Sequence, residues 1–350
     1  MARLRRVDCS GPGIVRRRRG RGFEFVDSDG NRVDDPEVIA RIAELAVPPA
    51  WKEVWICPYP MGHIQATGVD ARGRKQYVYH SKWRERRDQR KFDSMLDFAR
   101  SLPAMRRRVA KHLAEPGLTR RRVLACSVRL LDRGFFRVGG EDYKVENETY
   151  GLATMHTSHV TLDDGTLTFD YRAKSGRRRV QSIVDPAVYD IVAQLKRRRG
   201  DPELLAYRDG RSWRDIKSAD VTAYVKEVTR GDFTAKDFRT WSATVLAAWA
   251  LNEFEAFDTK AAAKHNVTQA IERTAARLGN TPAICRKSYV HPEVVNAYLD
   301  GSLVESLKGE VEAELRDELA GLRPEEVAVL AFLQRRLARE AAAAGAKAAA

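Results

Sequence analysis

The chain has 350 residues and a net charge of +14, with a pI near 9.7. This length suits one large domain or, more commonly, two ordinary ones, and 43% hydrophobic residues suffice to build real cores. No apolar run is long enough to span a bilayer, so we exclude a transmembrane protein. The positive charge predicts a polyanionic partner, with nucleic acid ahead of an anionic membrane surface.

The spacing of the cysteines and the absence of several enzyme motifs limit the kinds of reaction that we expect of this protein. The four cysteines are scattered singly, with no C-x-x-C pair and no secretory signal, which predicts reduced thiols in a cytoplasmic protein. His156 and His159 lack the accompanying cysteines or carboxylates of a zinc site. The sequence also has no ATP-binding phosphate loop, dinucleotide-binding motif, H-E-x-x-H or G-x-S-x-G. We therefore expect chemistry that needs no metal, nucleotide or other cofactor.

The N-terminal quarter is expected to hold a basic arm and a small β-sheet domain. Residues 1–22 contain eight arginines against one aspartate, interrupted by glycine and proline, which favours a mobile phosphate-binding arm. Alternating patterns then predict a helix over residues 36–46 and strands over residues 22–26, 51–57, 63–70 and 76–79.

The last of these strands is a candidate DNA-binding element. Alternation places Tyr77 and Tyr79 on one face, beside Gln76 and a basic loop over residues 70–75. The tyrosines either pack on a core or contact sugar and phosphate, with Gln76 at a base edge. A charge-dense segment follows, and we expect it to connect two domains that span residues 1–90 and 91–345.

The second domain is predicted to be mainly helical. Three alternating segments joined by two tight turns predict a three-stranded antiparallel sheet over residues 160–162, 167–171 and 180–184. Helices are expected over residues 92–102 (ended by Pro103), 104–114, 141–147, 186–199, 218–228, 234–252, 269–278, 292–300 and 324–343, with another beginning at Thr119. The predicted fold class is therefore α+β, a small N-terminal β-sheet domain followed by a larger, mainly helical domain with a three-stranded sheet.

Three cations in this second domain each allow a functional and an ordinary interpretation. Arg137 lies between Phe136 and Val138, ahead of two glycines, so it either binds an anion or pairs with a nearby carboxylate. Lys174 lies at a predicted hairpin tip. It either contacts a ligand there or is an exposed charge that prevents aggregation through the loop. Arg239 falls near a predicted helix N-terminus, where the helix dipole disfavours a cation unless an anion is close.

Tyr289 follows Arg286 and Lys287 directly. Cations beside a phenol favour the phenolate, whose formation otherwise needs a pH near about 10, and they also attract phosphate. The ordinary interpretation is a core or surface tyrosine beside a basic helix end. These two interpretations stay open on the residues alone.

Taken together, these residues resemble the type IB DNA topoisomerases, specifically the poxvirus-like and bacterial members. The likeness covers nearly the whole chain and rests on order and spacing, since no single motif is specific. Its segments are Q-Y-V-Y at 76–79, F-R-V-G at 136–139, Y-K-V-E-N-E-T-Y-G-L at 143–152, R-A-K-S-G at 172–176, K-D-F-R at 236–239 and R-K-S-Y at 286–289. The resemblance implies the catalytic fold shared with tyrosine recombinases, in a monomer that closes around duplex DNA as a clamp.

The resemblance also implies a role for each site residue. Tyr289 would attack a backbone phosphate, form a 3′-phosphotyrosyl link and expel a 5′-hydroxyl, so that supercoils relax while the cut end rotates. Arg137 and Arg239 would contact the nonbridging oxygens, and Lys174 would protonate the leaving oxygen with help from Arg137. Religation would need no ATP, because the covalent link conserves the bond energy. The family positions that contact DNA fall on Gln76, Tyr77, Tyr79, Tyr143 and Lys236.

Asn280 departs from the family pattern, because poxvirus and eukaryotic members carry a histidine there. We expect its amide to donate to a phosphate oxygen, less strongly than a charged imidazole would. Two other functions remain possible on the sequence, a tyrosine recombinase and a non-catalytic DNA-architectural protein. Against the recombinase, no H-x-x-R precedes the tyrosine, and the N-terminal part is β-rich. Each alternative has double-stranded DNA as its partner, which indicates the cytoplasm and its nucleoid.

Overall fold

The computed structural model describes residues 3–140, 148–200, 202–254, 257–308 and 321–349. The chain divides into two compact units, Met1–Phe92 and Asp93–Ala350. The helix predicted over residues 141–147, together with Tyr143, lies outside the described residues.

The first unit is built on a five-stranded antiparallel sheet in the order β2-β1-β3-β4-β5. One helix, α1, starts where the Asp35 carboxylate accepts a hydrogen bond from the backbone of Glu37, with proline in the first turn. A core of Ile14, Ile42 and Ile56, with Val54 and Ala66, joins this helix to the sheet. The elements are β1 Ile14–Arg19, β2 Gly22–Val26, α1 Pro36–Glu44, β3 Lys52–Ile56, β4 Ile64–Val69 and β5 Lys75–Tyr79.

The prediction of a mobile arm over residues 1–22 is wrong, because its arginine run forms strand β1. Ile14 is buried at the start of this strand and pairs in register with Ile56. The Arg16 guanidinium donates to three backbone carbonyls in the loop after α1, at 2.7 to 3.2 Å. The composition of this segment indicated disorder. The buried Ile14 and the hydrogen bonds from Arg16 to the loop carbonyls nevertheless hold it in place.

Helix α2, Ser81–Leu113, runs through Pro103, so the prediction that this proline ends a helix is wrong. A proline inside a helix removes one hydrogen bond and costs about 3 kcal/mol. Phe98, Leu102 and Met105 are buried on either side of it. Each such side chain contributes roughly 1.5–3 kcal/mol on burial, which offsets the loss.

The second unit combines helices with a three-stranded antiparallel sheet in the order β6-β7-β8. The predicted α+β class is confirmed. Within the described residues no helix has the length and apolar character that crossing a membrane requires. The sheet strands are β6 Val160–Asp163, β7 Thr166–Arg172 and β8 Arg178–Val184, and an unpredicted hairpin comprises β9 Ala206–Asp209 and β10 Ser212–Asp215. The helices after α2 are α3 Arg120–Gly134, α4 Pro186–Lys196, α5 Ser218–Thr229, α6 Ala235–Asn252, α7 Lys260–Leu278, α8 Pro282–Ser288, α9 Pro292–Leu299, α10 Leu303–Lys308 and α11 Pro324–Ala349.

Packing around α3 fixes the elements that lead into the candidate site. Phe136, just after α3, packs edge-on against Phe169 of β7, with ring centres 4.9 Å apart. Arg106 of α2 is bound by the carboxylates of Asp132 and Glu326 at 2.7 to 3.0 Å. This buried network joins α2, α3 and α11. The segment that follows α3 and carries Arg137 therefore begins at a helix whose position is fixed.

Candidate active site

Three arginines from three different elements converge on the carboxyl end of α7. Arg137 follows α3, Arg179 lies on β8 and Arg239 lies on α6. Arg179, Arg239 and Arg137 donate to the carbonyls of residues 277, 278 and 279, at 3.0, 2.9 and 3.2 Å. The last carbonyls of a helix lack helical partners and carry partial negative charge. The helix end therefore holds three cations together although they repel one another.

Arg239 is 2% exposed and reaches the carboxyl ends of two helices at once. Besides the α7 carbonyl, it donates to the carbonyl of Phe135, the left-handed residue that ends α3. Burial, followed by repulsion from Arg137, lowers the pKa of Arg239 to about 10, and the Tyr289 phenol opposes this. The guanidinium therefore stays charged at neutral pH. Its position on α6 is no longer unfavourable, because the side chain lies at the negative ends of other helices.

Tyr289 stands at the corner between α8 and α9, and its side chain is half-buried rather than sealed in the core. The guanidinium carbon of Arg239 lies 5.2 Å from the centre of its ring. The buried hydroxyl of Thr244, also on α6, donates to the Tyr289 carbonyl at 3.2 Å. The same helix thus fixes both the tyrosine backbone and the arginine beside its ring.

Arg137 and Asn280 are in direct contact. The Arg137 guanidinium donates to the side-chain oxygen of Asn280. Glycines allow the segment after Arg137 to close, because a Cβ on Gly139 would lie 2.8 Å from the Cα of Gly151. The carboxylates proposed as alternative partners of Arg137 (Glu141, Asp142 and Glu146) fall outside the described residues.

Lys174 is on the turn between β7 and β8, and it lines a cavity of about 490 Å³ together with Asn280 and Arg179. The lining residues include no carboxylate, whereas their cations are Arg133, Lys174, Arg177, Arg178, Arg179 and Arg277. Among the described residues, Tyr289 and Arg239 are not part of this lining. The structure therefore joins Lys174 to the Asn280 side of the site, and joins Arg239 to the Tyr289 side.

Several buried hydrogen-bond donors at this place have no acceptor in the described part of the chain. They are Nδ2 of Asn280, Nε2 of Gln181 and Nε of Arg239. A buried donor left without a partner costs about 1–3 kcal/mol. Arg133 and Arg178 of the cavity are paired with Asp185 and Asp170, whereas Arg179 and Arg239 have no acidic partner among the described residues. These two cations and the unpaired donors make a site suited to the oxygens of an anion such as phosphate.

The sequence interpretation missed Arg179. The signal was the two-residue period of β8, which places Arg179 and Gln181 on the same face as buried Ile183. Composition suggests the opposite face, since it carries Val180 and Val184, yet these are 57% and 65% exposed. Packing of β8 against α3 and the hydrogen bond from Arg179 to the end of α7 override that preference.

The predicted DNA-binding residues lie in two places. In the first unit, Tyr77 and Tyr79 stack on one face of β5 with ring centres 6.0 Å apart, and Tyr77 is 43% exposed. The Gln76 amide donates to Asp70 at 2.9 Å. In the second unit, Lys236 is exposed in the first turn of α6. Over the described residues no three His, Cys, Asp or Glu side chains are grouped as a metal site requires.

Comparison with known proteins gives two family matches. Residues 80–315 match the family described as eukaryotic DNA topoisomerase I, catalytic core, and residues 22–70 match bacterial DNA topoisomerase IB, N-terminal domain. The chain is 31% identical over 294 residues to DNA topoisomerase 1B of Acanthamoeba polyphaga mimivirus, which covers 82% of this chain and 87% of that protein. It is also 28% identical over 130 residues to DNA topoisomerase 1 of Daucus carota, which covers 36% of this chain and 15% of the plant protein.

Proposed function

This chain belongs to the type IB DNA topoisomerase family, and we propose that Tyr289 is the residue through which it cuts and rejoins DNA. Enzymes of this family relax supercoiled duplex DNA without ATP by way of a 3′-phosphotyrosyl intermediate. Family membership selects this activity over the recombinase and the architectural protein. The observation that supports Tyr289 is its half-buried phenol, 5.2 Å from a guanidinium that has no acidic partner among the described residues.

The proposed reaction begins when the Tyr289 hydroxyl gives up its proton to water and its oxygen attacks the phosphorus, while the bond to the 5′-oxygen breaks. Negative charge grows on the nonbridging oxygens in the transition state, where Arg137 and Arg239 stabilise it. The helix-end carbonyls already hold both guanidinium groups in place, so little reorganisation is needed when DNA arrives. The Asn280 amide adds a neutral donor to the same oxygens, since its own oxygen is turned toward Arg137.

Lys174 completes the proposed reaction as the general acid. Its proton passes from Nζ to the 5′-oxygen as that oxygen leaves, since an alkoxide is far more basic than an amine. Religation reverses the step, with the 5′-hydroxyl returning its proton to the lysine. The tight turn between β7 and β8 would carry the lysine to the leaving group from the side opposite Tyr289.

DNA binding is assigned to both units in this proposal. The first unit, including Gln76, Tyr77 and Tyr79, would contact the duplex near the cleavage site, and Lys236 would approach it from the second unit. Tyr143 has the same assigned role from the family resemblance alone. The enzyme would act as a monomer that closes around duplex DNA, at the nucleoid.

The test is the covalent adduct itself. Tyr289→Phe removes a single oxygen, so it should bind duplex DNA like the native protein while forming no adduct when reactions are stopped with detergent. Tyr189→Phe is the matched control, because Tyr189 is a half-buried tyrosine on α4 that does not line the cavity of the site. An adduct that persists in Tyr289→Phe would assign the nucleophile to another residue.

A further inference from the structure

Arg179 is a third arginine of the site, beyond the two that the family resemblance assigns. It is 8% exposed, and no carboxylate pairs with it within the described residues. Its guanidinium is hydrogen-bonded to the Gln181 side-chain oxygen at 2.8 Å and to the carbonyl of Arg277 at 3.0 Å, and it lies near the phenol of Tyr171. All of these partners are neutral.

The turn that carries Asn280 contacts both Arg179 and Arg137. A Cβ on Gly279 would come within 2.3 Å of Nη1 of Arg179, so this guanidinium packs directly against the turn. Arg137 donates to the Gly279 carbonyl and to the Asn280 side chain. Two cations therefore contact the turn that carries the neutral amide.

A buried cation without a countercharge destabilises a protein unless something offsets it. The helix end supplies part of the offset through its carbonyls. Burial and repulsion from Arg137 both lower the pKa of Arg179, which shows that the two charges act on each other. A neutral side chain on β8 would remove this cost, so the charge at Arg179 calls for a functional reason.

We propose that Arg179 supplies the positive charge that the neutral Asn280 does not. This rests on the proposed function, in which negative charge grows on the phosphate oxygens beside Arg137 and Asn280. Family members with a histidine in place of Asn280 can carry an imidazolium there, whereas here the charge comes from an arginine packed against the same turn. Arg179 thus does not touch the phosphate, and its charge acts on the phosphate oxygens from the turn beside Arg137 and Asn280.

A double-mutant cycle between Arg179→Gln and Asn280→His tests this compensation. Single-turnover cleavage of a duplex should slow at least about tenfold in Arg179→Gln, a change equivalent to about 1.4 kcal/mol. Asn280→His should raise the rate more in the Arg179→Gln background than in the native one, and restore most of the loss there. Equal effects of Asn280→His in both backgrounds, or an undiminished rate in Arg179→Gln, would overturn the proposal.

The pH dependence separates charge from packing. The rescue by Asn280→His, expressed as the rate of the double variant over that of Arg179→Gln, should be largest near pH 6. It should shrink as the pH rises through the imidazole pKa, ordinarily about 6.5, because a neutral ring carries no charge. A rescue independent of pH would mean that histidine only fills space, and would count against the proposal.

Two further variants keep the test decisive. Arg179→Lys retains the charge and should keep most of the cleavage rate. If Arg179→Gln fails to fold, the rate of Arg179→Lys is used as the test instead. A loss in Arg179→Lys as large as in Arg179→Gln would assign the effect to guanidinium geometry and overturn the charge proposal. Arg214→Gln removes an exposed charge paired with Asp209 on the β9–β10 hairpin and should leave cleavage unchanged. Failure of the proposed function is distinct, since it would appear as an adduct in Tyr289→Phe.

Discussion

Arg137 and Asn280 are joined by a hydrogen bond in which the guanidinium donates to the amide oxygen. Arginine has only donors, so the contact fixes which way the asparagine amide faces. Its nitrogen is then left as a buried donor without an acceptor among the described residues. The pairing turns a neutral side chain into an oriented donor for a phosphate oxygen.

Asn280→Ala should therefore slow single-turnover cleavage, by about tenfold if one neutral donor is lost. Asn280→Asp keeps the shape but replaces the donor with a negative charge facing phosphate, so the loss should reach about 10²–10³. Cleavage rates measured with excess enzyme on a short duplex should fall in the order native, Asn280→Ala, Asn280→Asp. An Asn280→Ala enzyme as fast as the native one would remove Asn280 from the site.

The role of Lys174 predicts a dependence on the leaving group. Lys174→Met should slow cleavage of ordinary DNA by about 10²–10⁴, the usual contribution of a general acid. A duplex with sulfur in place of the 5′-bridging oxygen should largely restore the rate, because a thiolate leaves without a proton. Arg239→Gln is the control, since an arginine acting on nonbridging oxygens should stay slow on both substrates. Equal defects of Lys174→Met on the two substrates would show that Lys174 is not the acid.

Gly279→Ala should impair both stability and cleavage. Gly279 has φ +67°, where a side chain costs roughly 1–2 kcal/mol, and the added Cβ would also clash with Arg179. Gly165→Ala is a matched control, because Gly165 has φ +76° with open space around its Cβ position. Urea unfolding should show a larger loss for Gly279→Ala, and only that variant should cleave slowly. Equal losses of stability, with native cleavage in both, would contradict the close contact with Arg179.

The tyrosine pair on β5 predicts a binding defect without a chemical one. Tyr77→Ala should weaken noncovalent DNA binding roughly fivefold, equivalent to about 1 kcal/mol for one lost contact. The affinity can be measured in a Tyr289→Phe background, so that no adduct forms. Phe23→Ala, another exposed aromatic of the same unit, should bind normally. Unchanged affinity in Tyr77→Ala would place the DNA contact elsewhere.

The sequence by itself determined the features that follow from local periodicity. Alternation and tight turns predicted the β6-β7-β8 sheet with Lys174 on a turn, and the pattern over residues 234–252 predicted α6 with Arg239 near its N-terminus. The order of these motifs also identified the family. Such patterns can be recognised in the sequence because the backbone geometry of one element sets the direction of its side chains.

Only the tertiary structure decided what surrounds the candidate nucleophile. Arg137 and Asn280 are 143 residues apart in the chain, and Arg239 and Leu278 are 39 apart. Arg179 escaped notice because its neighbours on β8 suggested the wrong buried face, and the arginines of β1 suggested disorder until Ile14 was seen in the core. In each case the deciding contact joins elements distant in sequence. Burial and charge at such contacts depend on how whole helices and sheets pack, which no local pattern encodes.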